Sequence, residues 1–237
     1  MKEKFLGVDV SSYSYEELKQ NISDDIEQKK QSFIVAINPE KILQAQKDAG
    51  LLMLLNKATY QIPDGVGVLI ASKLSGGKIS QRVTGIDMLL TLCELASKND
   101  KSVFLYGAKP GVADKAKDSL LEKYPNLSIA GVIDGYEKDQ DYIKRSINEA
   151  KPDILFVALG SPKQEHWIVD HMKELDVSIF QGVGGSFDVI SGRIKRAPVA
   201  FQRLGLEWLY RLIVEPWRIK RQIKLPTFIY KVWKNRK

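Results

Sequence analysis

The stretch "IPDGVGV", Ile62 to Val68, sets one carboxylate, Asp64, between an apolar strand-like run and a glycine-spaced apolar run. Two kinds of work suit it there. It can cap the helix that follows, where Asp is a favoured residue, or it can take a proton from an attacking hydroxyl, with a pKa raised by desolvation among apolar neighbours. Other polar groups and glycines recur in the same setting, just after apolar runs: Asn38, Pro39 and Glu40; Gly107 and Lys109; Asp134, Gly135 and Tyr136; Gly160, Ser161, Lys163, Gln164 and Glu165; Gly182, Gly184, Gly185 and Asp188. Glycines let backbone amides approach a phosphate, and helix N-termini favour negative charge, so a nucleotide is the expected ligand. No "GxGxxG" follows the first strand-like run and no "GxxxxGK[ST]" occurs, which argues against an oxidoreductase with a dinucleotide fingerprint and against a Walker loop. The "VGGSF" glycines also fit ordinary tight turns. His166 and His171 lack the i, i+4 spacing of a zinc helix, so no metal site and no cofactor are expected.

The elements that must position these residues follow from apolar periodicity. "FLGVDV", "SFIVAI", "ATYQIP", "SVFLYGA", "LSIAGVIDGY", "DILFVALG" and "VSIFQGVGG" read as strands, and helical patterns separate most of them. Ser14 with Glu17 is a capping-box start for a helix through about Gln28. Asn38-Pro39 starts another. Further helices are expected to about Lys123, around Tyr142 to Ala150, and from Ser161-Pro162 through about Leu175. Several strands are apolar without alternation, as parallel strands covered on both faces are. The fold class is α/β: a doubly wound, Rossmann-like, mostly parallel sheet.

The chain has 237 residues, 44% of them hydrophobic and 27% charged, which is the balance of an ordinary globular protein rather than a disordered one. Its single cysteine, Cys93, lies in the apolar helical pattern "IDMLLTLCELA", so a buried thiol is expected rather than a nucleophile. The start of the chain carries too short an apolar run for a signal peptide, and no stretch has the roughly 18 apolar residues of a membrane span. The expected location is the cytoplasm, reaching the membrane from outside it. Net charge is +7, and the segment from Phe201 onward carries ten Lys or Arg against two Glu, leaving the body near neutral. Trp208, Trp217 and Trp233 interleave with that charge. Such a segment suits anionic lipid headgroups, a solvated basic face, or nucleic acid. A break in texture between Arg193 and Pro198 divides a catalytic domain, residues 1–195, from a basic amphipathic helical appendage, residues 196–237.

Eight blocks in order, "NPEKI", "IPDGVGV", "RVTGIDM", "FLYGAKPG", "IAGVIDGY", "VALGSPKQE", "GVGGSFDVISGRIKRAP" and "GLEWLYRLIVEPWRIKR", resemble the WecG/TagA glycosyltransferases, glycosyltransferase family 26. The last block is most similar to the Gram-positive TagA branch. That resemblance implies an inverting, metal-independent transfer of N-acetylmannosamine from its UDP donor to the 4-hydroxyl of N-acetylglucosamine on undecaprenyl diphosphate, in wall teichoic acid linkage-unit synthesis. Other members use N-acetylmannosaminuronic acid or other acceptors. It further implies that Asp64 is the base, that Arg82 stabilises the departing UDP, and that Gln164 hydrogen-bonds donor sugar or acceptor. Asn38 would reach the sugar end, and Gly107, Asp134, Gly160 and Gly184 would line the nucleotide pocket. Arg211, Arg218 and Arg221 match tail arginines that hold the lipid diphosphate, for which a planar guanidinium fork is suited. The partners implied are a UDP-sugar, the lipid-linked acceptor and the membrane surface, met peripherally on its cytoplasmic face, with no nucleic acid. The apolar tail face (Leu212, Ile213, Trp217, Ile223, Phe228) would meet the bilayer, pack on the body, or be buried in a homo-oligomer away from the membrane. Ala36 departs from the pattern, since members often carry a hydroxyl residue there.

Overall fold

The computed structural model describes residues 2–203, 206–214 and 224–235. The chain opens with β1 (Lys2–Phe5) and β2 (Val8–Ser11), then α1 (Tyr15–Glu27), β3 (Ser32–Ile37), α2 (Pro39–Ala45), α3 (Ala49–Lys57), β4 (Tyr60–Pro63), α4 (Val66–Leu74) and α5 (Gly85–Lys98). It continues with β5 (Ser102–Gly107), α6 (Val112–Lys123), β6 (Ser128–Ile133), α7 (Gln140–Ala150), β7 (Ile154–Ala158), α8 (Lys163–His171), a short 3-10 turn, β8 (Ile179–Gly182) and α9 (Ser186–Ile190). The C-terminal helices are α10 (Val199–Arg203), α11 (Glu207–Val214) and α12 (Lys224–Lys234).

Six parallel strands form the central sheet in the order β4-β3-β8-β7-β5-β6. Their side chains sort into two cores. Phe33, Val35, Ile37, Phe104, Tyr106, Leu155, Val157 and Phe180 face one side, packed by Ile42, Leu51, Val68, Ile143, Trp167 and Phe228. Ile34, Ile62, Val103, Leu105, Ile154, Phe156 and Ile179 face the other, packed by Leu18, Ile22, Leu89, Ala113 and Phe187. Both faces are thus covered by helices, which is why the strands read as unbroken apolar runs. Chain direction diverges between the neighbours β5, which leads outward to β6, and β7, which leads back to β8, so the sheet has its switch point there.

The start of the chain departs from the expectation drawn from "FLGVDV". That run is not one strand of the main sheet. Leu6 and Gly7 both take positive φ, 49° and 87°, and fold it into a tight hairpin with Phe5 opposite Val8. This pair makes a separate antiparallel sheet, and a glycine inside an apolar run was the turn signal. The helix expected through Leu175 ends at His171 and continues only as the 3-10 turn Met172–Glu174. The capping box at Ser14 and Glu17 and the helix start at Pro39 are as expected.

In the C-terminal segment, α12 docks on α2 and α4. Phe228 is fully buried in the core and Lys224 pairs with Glu40 at 3.3 Å, whereas Tyr230 and Trp233 are exposed. On α11, Ile213 and Val214 stand in solvent. Trp217, Ile223, Arg218 and Arg221 lie outside the described residues, as does the side chain of Arg211. No helix among the described residues is long and apolar enough to cross a membrane.

Candidate active site

Parallel strands bring their following loops to one edge of the sheet, and there the sequence-marked residues gather. Ile37 and Pro63 are the last register pair of β3 and β4, and the Asp64 N–H donates to the Ile37 carbonyl at 2.8 Å. Asn38 and Asp64 therefore leave the sheet side by side. The capping position expected for Asp64 is taken by its neighbour: the N-cap of α4 is Gly65, at φ 91°. Asn38 is itself a cap, its Oδ1 accepting the Lys41 N–H at 2.9 Å. Asp64 itself is half-buried at this edge.

Arg82 arrives from the loop before α5. The Val83 N–H donates to the Pro63 carbonyl at 2.9 Å, which fastens this loop to the residue preceding Asp64. Thr84 caps α5, its hydroxyl accepting the Asp87 N–H at 3.1 Å, and the buried Gln181 of β8 donates to the Gly85 carbonyl at 2.8 Å. Ala36 lies against this turn, 3.5 Å from where a β-carbon on Gly85 would stand. The Arg82 guanidinium is no surface ion pair. Its Nη2 donates to Glu207 Oε2 of α11 at 2.7 Å, with both side chains mostly buried.

Gln164 is nearly buried at the start of α8. Its Oε1 accepts the Gly184 N–H at 2.9 Å and its Nε2 donates to Glu165 Oε1 at 3.2 Å. Glu165 Oε1 also receives Lys41 Nζ at 2.8 Å, while Oε2 is buried without a hydrogen-bond partner among the described residues. The result is a laced chain from Asn38 through Lys41, Glu165 and Gln164 to Gly184, tying the ends of β3, β7 and β8. In the sequence Glu165 is one polar residue among several after a strand, and Lys41 carries no mark of being its partner. The one signal was a lysine in the otherwise apolar inner face of α2.

Farther along the edge, Gly107 has φ 119° and approaches β7 so closely that a β-carbon would sit 2.6 Å from Ala158 backbone. The Gly135 N–H donates to the Ala108 carbonyl at 2.8 Å, and Asp134 Oδ1 accepts the Tyr136 N–H at the same distance. Gly160, at φ 76°, faces open space. With strands about 4.8 Å apart, Asp64 and Asp134 stand about 24 Å from one another across the six-stranded edge. The structure thus brings Asp64, Asn38 and the Arg82 loop together at one end and joins Gln164 to Gly184 in the middle. Gly160 sits with Gln164, whose N–H donates to the Gly160 carbonyl at 2.9 Å, while Gly107 and Asp134 belong to the far half. Among the described residues no three His, Cys, Asp or Glu side chains gather as ligands for a metal ion. Cys93 is buried in α5, away from the edge, and burial pushes its thiol up to about 12.

A family model described as the glycosyl transferase WecG/TagA/CpsF family matches residues 3–237. A protein of Bacillus subtilis (strain 168) named N-acetylglucosaminyldiphosphoundecaprenol N-acetyl-beta-D-mannosaminyltransferase is 41% identical over 212 residues, covering 90% of this chain and 83% of that relative. A Staphylococcus aureus (strain NCTC 8325 / PS 47) protein of the same name is 36% identical over 241 residues, covering 100% of this chain and 94% of that relative.

Proposed function

From the premise that the chain belongs to the WecG/TagA/CpsF glycosyl transferase family, we propose that it transfers N-acetylmannosamine from UDP-N-acetylmannosamine to the 4-hydroxyl of N-acetylglucosamine on undecaprenyl diphosphate, inverting the anomeric carbon without a bound metal. The observation that carries the reading is the placement of Asp64. It stands half-buried at the carboxyl end of β4, beside Asn38, one residue before the N-cap of α4. The names of relatives that align over most of their length, N-acetylglucosaminyldiphosphoundecaprenol N-acetyl-beta-D-mannosaminyltransferases, support the choice of sugar and acceptor.

In this mechanism the ionised Asp64 accepts the proton of the acceptor hydroxyl as that oxygen attacks the anomeric carbon. The bond from that carbon to the UDP oxygen breaks, and its electron pair leaves with the diphosphate. Arg82 offsets the charge gained there, together with backbone N–H groups of the strand-end glycines. Gln164 and Asn38 hold the sugar end, while Gly107, Gly160, Gly184 and Asp134 run along the nucleotide. Residues 196–237 serve as the unit that meets the membrane peripherally on its cytoplasmic face. Arg211, Arg218 and Arg221 pair there with the lipid diphosphate. The exposed rings of Tyr230 and Trp233, flanked by Lys231 and Lys234, suit a headgroup interface. Away from the membrane, apolar tail surface pairs with a second copy.

The test is UDP release from UDP-N-acetylmannosamine with and without a short-chain prenyl diphosphate-N-acetylglucosamine acceptor. Acceptor-dependent release is expected. Release only from another UDP-sugar would move the donor assignment, and no release from any donor by folded protein would overturn the transferase reading.

A further inference from the structure

Two guanidinium groups converge on one carboxylate beside the strand-end edge. Glu207 Oε2 accepts from Arg82 Nη2 at 2.7 Å and Glu207 Oε1 accepts from Arg196 Nε at 3.4 Å. Arg196 is braced from behind by Asp87 of α5, whose Oδ2 in turn accepts the Thr84 hydroxyl at 2.6 Å. Both arginines are therefore anchored from the body: Arg82 through the Val83–Pro63 hydrogen bond, Arg196 through Asp87. Glu207 alone comes in on α11, an eight-residue helix that ends in the exposed Ile213 and Val214. Burial works against the Arg196 charge, yet Asp87 and Glu207 outweigh it and hold the guanidinium firmly protonated. The four charges of Arg82, Arg196, Asp87 and Glu207 cancel, so the cluster is neutral only while Glu207 is in place.

Paired forks on one anion are the arrangement by which arginines hold phosphate oxygens. We propose that Arg82 and Arg196 form a clamp for the donor's diphosphate, and that Glu207 is its resident anion, exchanged for the diphosphate when the nucleotide binds. This rests on the UDP-donor reading above and adds Arg196 and Glu207 to it. The exchange ties the position of α11 to the occupancy of the site: with the diphosphate seated, α11 loses its hold on Arg82. A carboxylate that must be displaced lowers the apparent affinity for the anion by the fraction of molecules in which the clamp is open.

Calorimetric titration of the full chain with UDP, inorganic pyrophosphate and uridine decides it, comparing the native protein with Glu207→Gln and Arg196→Gln. Removing the resident charge is expected to tighten UDP roughly fivefold or more. Losing one fork is expected to weaken UDP roughly tenfold. Uridine affinity should not differ among the three. Unchanged or weaker UDP binding by folded Glu207→Gln would make Glu207 a plain brace and overturn the proposal. Should that variant not fold, Arg196→Gln decides, since it keeps the Arg82–Glu207 contact: unchanged UDP affinity overturns the clamp and lost affinity supports it. If no protein binds UDP but pyrophosphate binds Glu207→Gln more tightly, the clamp stands and the UDP-donor reading falls. Binding of neither ligand by any of them overturns both.

Discussion

Gln164 Nε2 lies 2.6 Å from the point where a β-carbon on Gly182 would stand. That closeness is what lets the Gln164 amide reach past the end of β8 and accept the Gly184 N–H at 2.9 Å. A side chain at 182 would push the amide out of the laced chain that joins the ends of β3, β7 and β8. Gly182→Ala is therefore expected to cost about 1–3 kcal/mol of stability through overpacking, and to lower kcat/KM roughly 100-fold by misplacing the site. Urea unfolding and steady-state kinetics on the same preparation check both.

The Asp64 N–H donates to the Ile37 carbonyl of β3, and Gly65 rather than Asp64 is the N-cap of α4. Asp64→Asn keeps the size and removes the proposed base. Its kcat is expected to fall by roughly 10² to 10⁴, with UDP affinity nearly unchanged. A kcat near the native value would assign the proton to another group.

Lys41 and Glu165 form a buried ion pair at 2.8 Å. Glu165→Gln leaves the lysine charge uncompensated and is expected to destabilise the protein by about 3–5 kcal/mol. Lys41→Met combined with Glu165→Leu should recover most of that loss in urea unfolding. It should not recover kcat, because Gln164 has then lost the carboxylate that receives its amide. Recovery of both would reduce the pair to packing.

Much of this was legible in the residues themselves. Ser14-x-x-Glu17 and Asn38-Pro39 start helices because their side chains satisfy N–H groups within three residues, a purely local matter. The glycines after strands marked the strand-end edge on which the proposed site lies. Arg82 and Glu207 were not paired on paper, because 125 positions separate them and nothing local to either one names its partner. "FLGVDV" misled for the opposite reason, since its apolar content outweighed the turn written at Leu6 and Gly7.

Cys93 contributes a pH dependence whose sign is fixed by burial. The thiol titrates near 12 when folded and near about 8.5 when unfolded. Its share of stability is fully present below about pH 8.5. As pH rises from there toward 12 the unfolded chain holds fewer protons, so stability falls, by up to about 1.4 kcal/mol per pH unit. Urea midpoints at pH 8 and 9.5, below the ordinary tyrosine range, should drop in the native protein and drop less in Cys93→Ala. Iodoacetamide should leave the folded thiol unmodified at pH 8.

Ala36 abuts the turn that begins α5, at a position for which the family resemblance implies a hydroxyl. Ala36→Ser supplies a donor one strand residue before Ile37, close to the Asn38–Asp64 pair. An increase in kcat of roughly tenfold or more is expected, of the kind that a single added donor to a developing charge provides. An unchanged kcat, measured with a saturating donor, would show that this chain meets the need elsewhere.

The sequence by itself determined the layers of this protein and the edge at which its polar groups and glycines gather, because strand periodicity, helix caps and post-strand glycines act over a few residues. Only the tertiary structure decided which of those edge residues are neighbours. Parallel pairing put Asn38 beside Asp64, and the Val83–Pro63 bond brought in the Arg82 loop. The fold of the chain then laid Glu207 on Arg82 and drew Lys41 onto Glu165. A charge buried at a distance in sequence has no local signature, and its partner is fixed only when the sheet order is.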